Sequence, residues 1–274
     1  MTTPRARKRF GQHFLEPVWV AKVMAAIDPH PGDVFLEIGP GHGALTRPLA
    51  ARVRSVVAYE IDRDLAAALE RASIPNVRVV VGDFLESRVD VPVDAVAPAG
   101  VRVAGNPPYN VASPILFKLL DLHGAGVPIT DATLMLQREV ADRLLAVPGT
   151  KEYGVLTILV RHTAEVVRLL NLPPGAFRPA PKVQSTVVRV RFHAQNPPVR
   201  DVGVFRAVVQ GVFTRRRKML ANALLGARHV PGTCLAPDDL LARAGLDGRR
   251  RPETLTVEEF ARLADVFPAA PHKT

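Results

Sequence analysis

Asn106-Pro107-Pro108-Tyr109 is the stretch of this 274-residue chain whose residue types could carry the most demanding chemistry. The exocyclic amine of a base such as adenine is a poor nucleophile, because its lone pair is conjugated into the ring. A site that accepts both of its N–H bonds draws that lone pair out of conjugation and aims it at an alkyl donor. Asn106 offers a side-chain carbonyl for one N–H, Pro107 a backbone carbonyl for the other, and Tyr109 a ring face for stacking. The same four residues would also make an ordinary turn, since Asn and Pro are favoured there. What precedes them decides between the two.

Glu37-Ile38-Gly39-Pro40-Gly41-His42-Gly43 closes an apolar run and opens a helical pattern. Glycines at such a junction let the backbone approach a ligand closely and leave its amides available; Gly39 and Gly41 are the candidates. Glu60 ends the next apolar run, 21 residues after Gly39, where a carboxylate can hold the two hydroxyls of a ribose. Gly82-Asp83 ends the third, where Asp83 can accept from an adenine amino group and Phe84 can flank the ring. A nicotinamide dinucleotide is the rival ligand. The spacing G-x-G-x-x-G fails, however, because Ala44 stands at its sixth position, and no His, Lys or Tyr stands out as a proton donor for hydride chemistry. S-adenosylmethionine needs no such donor, because its methyl is already activated and the protein has only to position and desolvate it.

These residues need a frame that gathers strand ends. Val34 to Ile38 reads as a buried strand and Ser55 to Ile61, Val77 to Val81 and Val101 to Ala104 as further strands, with helical patterns at 44–52 and 63–72. Strands alternating with helices predict an α/β fold with a Rossmann-like, doubly wound, mostly parallel seven-stranded sheet, whose ligands sit beyond the carboxyl ends of its strands. After the corner come a helix near 114–120, a strand near 133–136, a helix near 138–147 and two Val-rich strands near 165–170 and 186–192, the last two suited to an antiparallel edge. Gln195-Asn196-Pro197-Pro198 reads as a linker, and the pattern beyond it is helical, with a Thr256/Glu259 capping box before the last helix. The domains expected are a catalytic one over 1–195, with a basic arm at 1–16, and a small all-helical one over 196–274.

A hydrophobic content of 47% supports a substantial core, and the one cysteine, Cys234, excludes an intramolecular disulfide or a cysteine-based zinc cluster. The net charge of +10 is clumped at Arg5, Arg7, Lys8 and Arg9, at Arg215, Arg216, Arg217 and Lys218, and at Arg249, Arg250 and Arg251. Residues 196–274 hold 13 Lys/Arg against 8 Asp/Glu, half of the whole surplus. Single basic runs are often solvated faces, but three of them beside a base-handling motif point to a nucleic acid. No apolar run approaches the roughly 18–20 residues that span a bilayer. Glu16 and Lys22 interrupt the apolar stretch that follows the basic start, so a soluble, cytoplasmic, monomeric protein without a metal site is expected.

In this order the residues identify a resemblance to the KsgA/Dim-type ribosomal RNA small-subunit adenine dimethyltransferases. It runs from Arg7-Lys8-Arg9-Phe10-Gly11-Gln12-His13-Phe14-Leu15 through EIGPG at Glu37 and NPPYN at Asn106 to Phe177-Arg178-Pro179-Ala180-Pro181-Lys182-Val183-Gln184-Ser185, and includes RRRKML after Phe213. The resemblance implies two methyl groups on each of two adjacent adenines near the 3' end of small-subunit ribosomal RNA, S-adenosyl-L-methionine as donor, and an assembling small subunit as substrate. It implies cofactor contacts at His13, Leu15, Gly39, Glu60, Asp83 and Asn106, and a target base held between Tyr109 and Phe177. Two positions depart from many relatives: His13 stands where they carry Asn, and Pro107 where they usually carry Leu. A large-subunit adenine methyltransferase conferring antibiotic resistance, and a non-catalytic RNA-binding assembly or transcription factor, are the alternatives on the same fold. NPPY also occurs in DNA amino-methyltransferases, so the motif alone does not name the polymer.

Overall fold

The computed structural model describes residues 13–89, 100–228, 230 and 236–268. The chain divides into two units, one within 1–141 and 166–192, the other within 142–165 and 193–274.

The first unit is built on a seven-stranded sheet. Its strands are β2 (Val34–Ile38), β3 (Ser55–Glu60), β4 (Val77–Val81), β5 (Val101–Gly105), β6 (Ile129–Gln137), β7 (Ala164–Leu172) and β9 (Ser185–Phe192), in the order β4-β3-β2-β5-β6-β9-β7. The pairs from β4 through β6 are parallel and β6 with β9 is antiparallel, so the sheet is mixed. All five residues of β2 are buried, as expected of a parallel strand covered on both faces. Helices α1 (Pro17–Ile27), α2 (Thr46–Ala50), α3 (Arg63–Arg71) and α4 (Ala112–Gly124) belong to the same unit. The chain order reverses between β2, which continues to β3, and β5, which lies on the other side of β2; ligands of such sheets bind at this switch point.

Two features were not legible in the pattern. A two-stranded sheet joins β1 (Phe14–Leu15) to β8 (Phe177–Arg178), pairing Leu15 with Phe177. And β9 enters between β6 and β7, leaving β7 at the edge. The C-terminal carbonyls of α1 are held by two arginines of the sheet. Arg102 donates to Ile27 and Asp28 while pairing with Asp33 at 2.7 Å and Asp131 at 2.8 Å, and Arg189 donates to Ala26 and Ile27. Cations there satisfy orphan carbonyls and oppose the negative end of the helix dipole.

The second unit is helical: α6 (Val155–Arg161), α7 (Val202–Phe213), α8 (Leu220–Ala223), α9 (Pro237–Ala244) and α10 (Val257–Val266), with α5 (Arg138–Leu145) crossing from the first. The capping box at α10 is present, with Thr256 N–H donating to Glu259 at 2.9 Å and Glu259 N–H to the Thr256 hydroxyl. The boundary expected at 195/196 falls three residues after the observed division at 192/193, but residues 142–165 also belong to the helical unit. The reason is packing: the buried Tyr153 hydroxyl donates to Leu255 and Gly149 N–H to Glu253, contacts that a linear reading of patterns does not reveal. None of the described helices is long and apolar enough to cross a membrane.

Candidate active site

Beyond the carboxyl ends of β2 to β5 lies a cavity of about 590 Å³, formed entirely by residues of the first unit. His13, Leu15, Gly39, Gly41, Glu60, Asp83, Phe84, Asn106, Pro107 and Tyr109 all line it. Gly39, Gly41 and Gly43 have φ of 71°, 58° and 80°, a region that side chains other than glycine rarely adopt. A Cβ on Gly41 would also lie 3.0 Å from the Phe14 ring. Glycine is therefore required at this turn.

The carboxylate of Glu60 is already partly engaged, accepting from Gly41 N–H at 2.9 Å and from Asp62 N–H at 3.0 Å. Those bonds fix its orientation and still leave lone pairs for a ribose diol. Burial raises the Glu60 carboxyl above its ordinary value, and the two backbone donors pull it back. Asp83 Oδ1 accepts from Leu85 N–H at 2.8 Å, which locks the turn carrying Phe84. Lys118 of α4 holds that turn from behind, donating to the carbonyls of Phe84, Leu85 and Ser87, with its ammonium 5.0 Å from the Phe84 ring. Phe84 packs edge-on against Tyr59 with ring centres 5.5 Å apart. Gly41 was expected to offer its amide to the cofactor. Instead that N–H is spent on Glu60, so this glycine shapes the wall and orients the carboxylate.

The acceptor corner follows β5. A Cβ on Gly105 would lie 2.6 Å from the Ile38 carbonyl, so glycine is what allows β5 to deliver Asn106 beside the Gly39 turn. Asn106 Nδ2 donates to the His13 carbonyl at 2.7 Å, which turns the acceptor Oδ1 to the opposite side. His13 Nδ1 meets the Pro179 carbonyl at 2.7 Å, and since a carbonyl only accepts, that nitrogen carries the hydrogen. The imidazole stacks on Tyr109, with centres 5.5 Å apart and planes 23° apart. The Tyr109 hydroxyl is hydrogen-bonded to that of Ser185 at 2.6 Å, and burial raises the pKa of the phenol above its ordinary value against the pull of that bond.

Phe177 is the correction. Expected to clamp a base against Tyr109, it is fully buried and does not line the cavity. Its ring belongs to the core cluster with Val23, Met24 and Ile27 of α1, because pairing β8 with β1 turns this residue inward behind Leu15. Three lining residues escaped the sequence reading. Glu37 is 1% exposed, its Oε2 has no hydrogen-bond partner among the described residues, and burial pushes its carboxyl up to about 8, opposed by Thr46 and helped by repulsion from Glu60. Its place at the end of a wholly buried strand was the available signal. Phe14 and His42 both line the cavity, their ring centres 4.2 Å apart, and burial lowers the basicity of His42.

The basic residues of the helical unit divide into two kinds. Arg216 pairs with Glu253 at 3.5 Å and donates to Thr150, and Arg250 grips both carboxylate oxygens of Glu259. Arg249 pairs with Asp247 at 3.0 Å. Arg216 and Arg250 are thus partly buried in local ion pairs, whereas Arg249 stays exposed beside Asp247. Arg215, Arg217, Lys218 and Arg251 are exposed. Arg7, Lys8, Arg9 and Cys234 lie outside the described residues. Among the described residues no group of acidic, His or Cys side chains could hold a metal ion.

The family model described as ribosomal RNA adenine dimethylase matches residues 3–265. The chain is 42% identical to ribosomal RNA small subunit methyltransferase A of Acinetobacter baylyi, with 95% of this chain and 92% of the relative aligned. It is 42% identical to the protein of the same name from Laribacter hongkongensis, over 94% and 95%. Among solved structures it is similar to a dimethyladenosine transferase from Plasmodium falciparum, 25% identical with TM-score 0.75 over 92% of this chain and 96% of that one. It is also similar to the 23S rRNA methyltransferase ErmE, 28% identical with TM-score 0.64 over 93% and 99%.

Proposed function

The chain belongs to the ribosomal RNA adenine dimethylase family, and from that premise we propose that it methylates the exocyclic amines of two adjacent adenines near the 3' end of small-subunit ribosomal RNA, within an assembling subunit. The observation that carries the reading is the convergence in one cavity of three strand-end contacts fit for a nucleoside with the Asn106-Pro107-Pro108-Tyr109 corner. The residues present fit S-adenosylmethionine. Glu60 keeps acceptor capacity for a ribose, Asp83 and Phe84 stand at the next strand end for its adenine, and the left-handed glycines leave room for its chain. Bound there, S-adenosylmethionine supplies a methyl group already activated by a sulfonium centre.

Asn106 Oδ1 accepts one N–H of the target amine and the Pro107 carbonyl the other, which localises the lone pair on nitrogen. Tyr109 supplies the stacking face for the unstacked base. A methyl donor held there would give up its methyl to the amine as the C–S bond breaks and the electron pair stays on sulfur, the thioether leaving and the surplus proton of the amine passing to water. A second transfer uses the same corner with one N–H surrendered. The exposed cations Arg215, Arg217, Lys218 and Arg251 supply affinity for phosphates without reading sequence. The protein acts as a monomer in the cytoplasm. The small-subunit reading is favoured over the large-subunit one because bacterial relatives carrying the former name are 42% identical and ErmE 28%.

Labelled S-adenosylmethionine, undermethylated small subunits and nucleoside analysis test the proposal; dimethyladenosine in small-subunit RNA is expected, and label in large-subunit RNA, in DNA or nowhere overturns it. Asn106→Ala should lower transfer by at least about a hundredfold, as removal of one such hydrogen-bonding group does elsewhere. Cofactor binding should change only severalfold.

A further inference from the structure

A stacking platform is useful only if its plane is fixed. The second side-chain torsion of a tyrosine is broad, so the ring of Tyr109 is not held by its own backbone. Two contacts restrain it. The His13 imidazole covers one face, and the Ser185 hydroxyl binds the phenol oxygen at 2.6 Å. Ser185 is completely buried and opens β9, where its backbone lies opposite Gln137 of β6. The preceding residue is tied down as well: the Gln184 carbonyl accepts from Arg138 N–H at 3.0 Å and its side-chain oxygen from the Arg138 guanidinium at 3.0 Å. The Ser185 hydroxyl is thus set by the start of an interior strand of the sheet, paired with β6, while Tyr109 sits in a short 3-10 turn, Tyr109–Val111, at the cavity wall.

We propose that Ser185 is a positioning residue for the acceptor base: its hydroxyl anchors the far end of the Tyr109 ring, whose face is held by His13, and through that ring sets the height at which the target amine meets Asn106. With one face of Tyr109 covered by His13, the base stacks on the other. The role rests on the adenine-methylating activity proposed above. It also gives the Phe177 to Ser185 segment a task at this corner. Phe177 is buried in the core, but Pro179 orients His13 and Ser185 orients Tyr109.

Ser185→Ala, Tyr109→Phe and the double variant test it, with kcat and KM measured on undermethylated small subunits, cofactor Kd by calorimetry and melting temperature on each protein. Each single variant should lose roughly tenfold in kcat, the scale of one hydrogen bond. Cofactor Kd should stay within about twofold. The double variant should be no worse than the poorer single, because both remove the same bond. Wild-type kcat in Ser185→Ala, or losses that multiply in the double variant, would overturn the role. Should Ser185→Ala melt far below wild type, Tyr109→Phe decides alone: a kcat loss at unchanged melting temperature supports positioning, and an unchanged kcat refutes it. A wild-type protein that transfers no methyl to subunits overturns the activity itself, a result distinct from failure of this role.

Discussion

The two sides of the cavity are built differently. On the cofactor side Glu60 and Asp83 each sit at the end of their own strand and each accept from an amide two residues on, Asp62 N–H and Leu85 N–H, with Gly41 N–H from the neighbouring strand end as the further donor to Glu60. Around the Asn106 to Tyr109 corner three side chains are each held by a residue much farther away in sequence. Asn106 is oriented by His13, His13 by Pro179 and Tyr109 by Ser185. Binding a common nucleoside can be built from local turns, whereas aiming an amine at a methyl carbon needs several chain segments to converge, because the geometry must be held to fractions of an ångström.

The sharpest way to break this contrast is Phe177, which the core claims and the acceptor side does not. Phe177→Ala should cost about 3–5 kcal/mol of stability, the usual cost of emptying a buried aromatic site, read from denaturant unfolding. Phe177→Leu should fold and keep kcat within severalfold. A folded Phe177→Leu that has lost turnover would return the ring to the base clamp. Next, Asp83→Ala should weaken cofactor binding by roughly tenfold or more, the scale of a lost hydrogen bond to a charged group, with kcat at saturating cofactor little changed. A kcat defect that survives saturation would show the two sides to be coupled.

In the helical unit, replacing Arg215, Arg217 and Lys218 together with Gln should reduce the salt dependence of subunit binding by about two units of log–log slope. Arg216→Gln should leave that slope nearly unchanged, since its charge faces Glu253. Equal slopes for the two variants would remove the distinction. A further effect is one of pH. The folded protein holds the Glu37 proton more tightly than the unfolded chain does, so this group's contribution to stability is full below about 4.5 and is lost as pH rises to about 8. Glu37→Gln should flatten the fall in stability across that window, as read from unfolding at a series of pH values. An identical slope in the variant would mean that Glu60, shifted in the same direction, accounts for it.

Much of this was legible in the residues themselves. The strands at 34–38 and 77–81 and the helices at 237–244 and 257–266 follow from apolar periodicity, an initial proline or a capping box, all of which act within a few residues. Gly39, Glu60, Asp83 and Asn106 were found because a parallel sheet delivers its strand ends to one place. Glu37 was missed because periodicity marks a strand as buried without saying that a carboxyl within it lacks a partner. The pairing of Arg216 and Arg250 was not legible because a charge run has the same composition whether it faces water or Glu253 and Glu259.

By itself, then, the chain determined its elements and the strand ends and Asn106-Pro107-Pro108-Tyr109 corner that line the cavity, since those depend on local torsional preference and on the alternation of strand and helix. Only the tertiary structure decided that Phe177 lies behind the wall, that residues 142–165 join the helical unit and that His13 and Ser185 hold the corner. Those contacts join residues 76 to 166 positions apart, and pairings of that separation are settled by packing the whole chain, which leaves no mark in the local pattern.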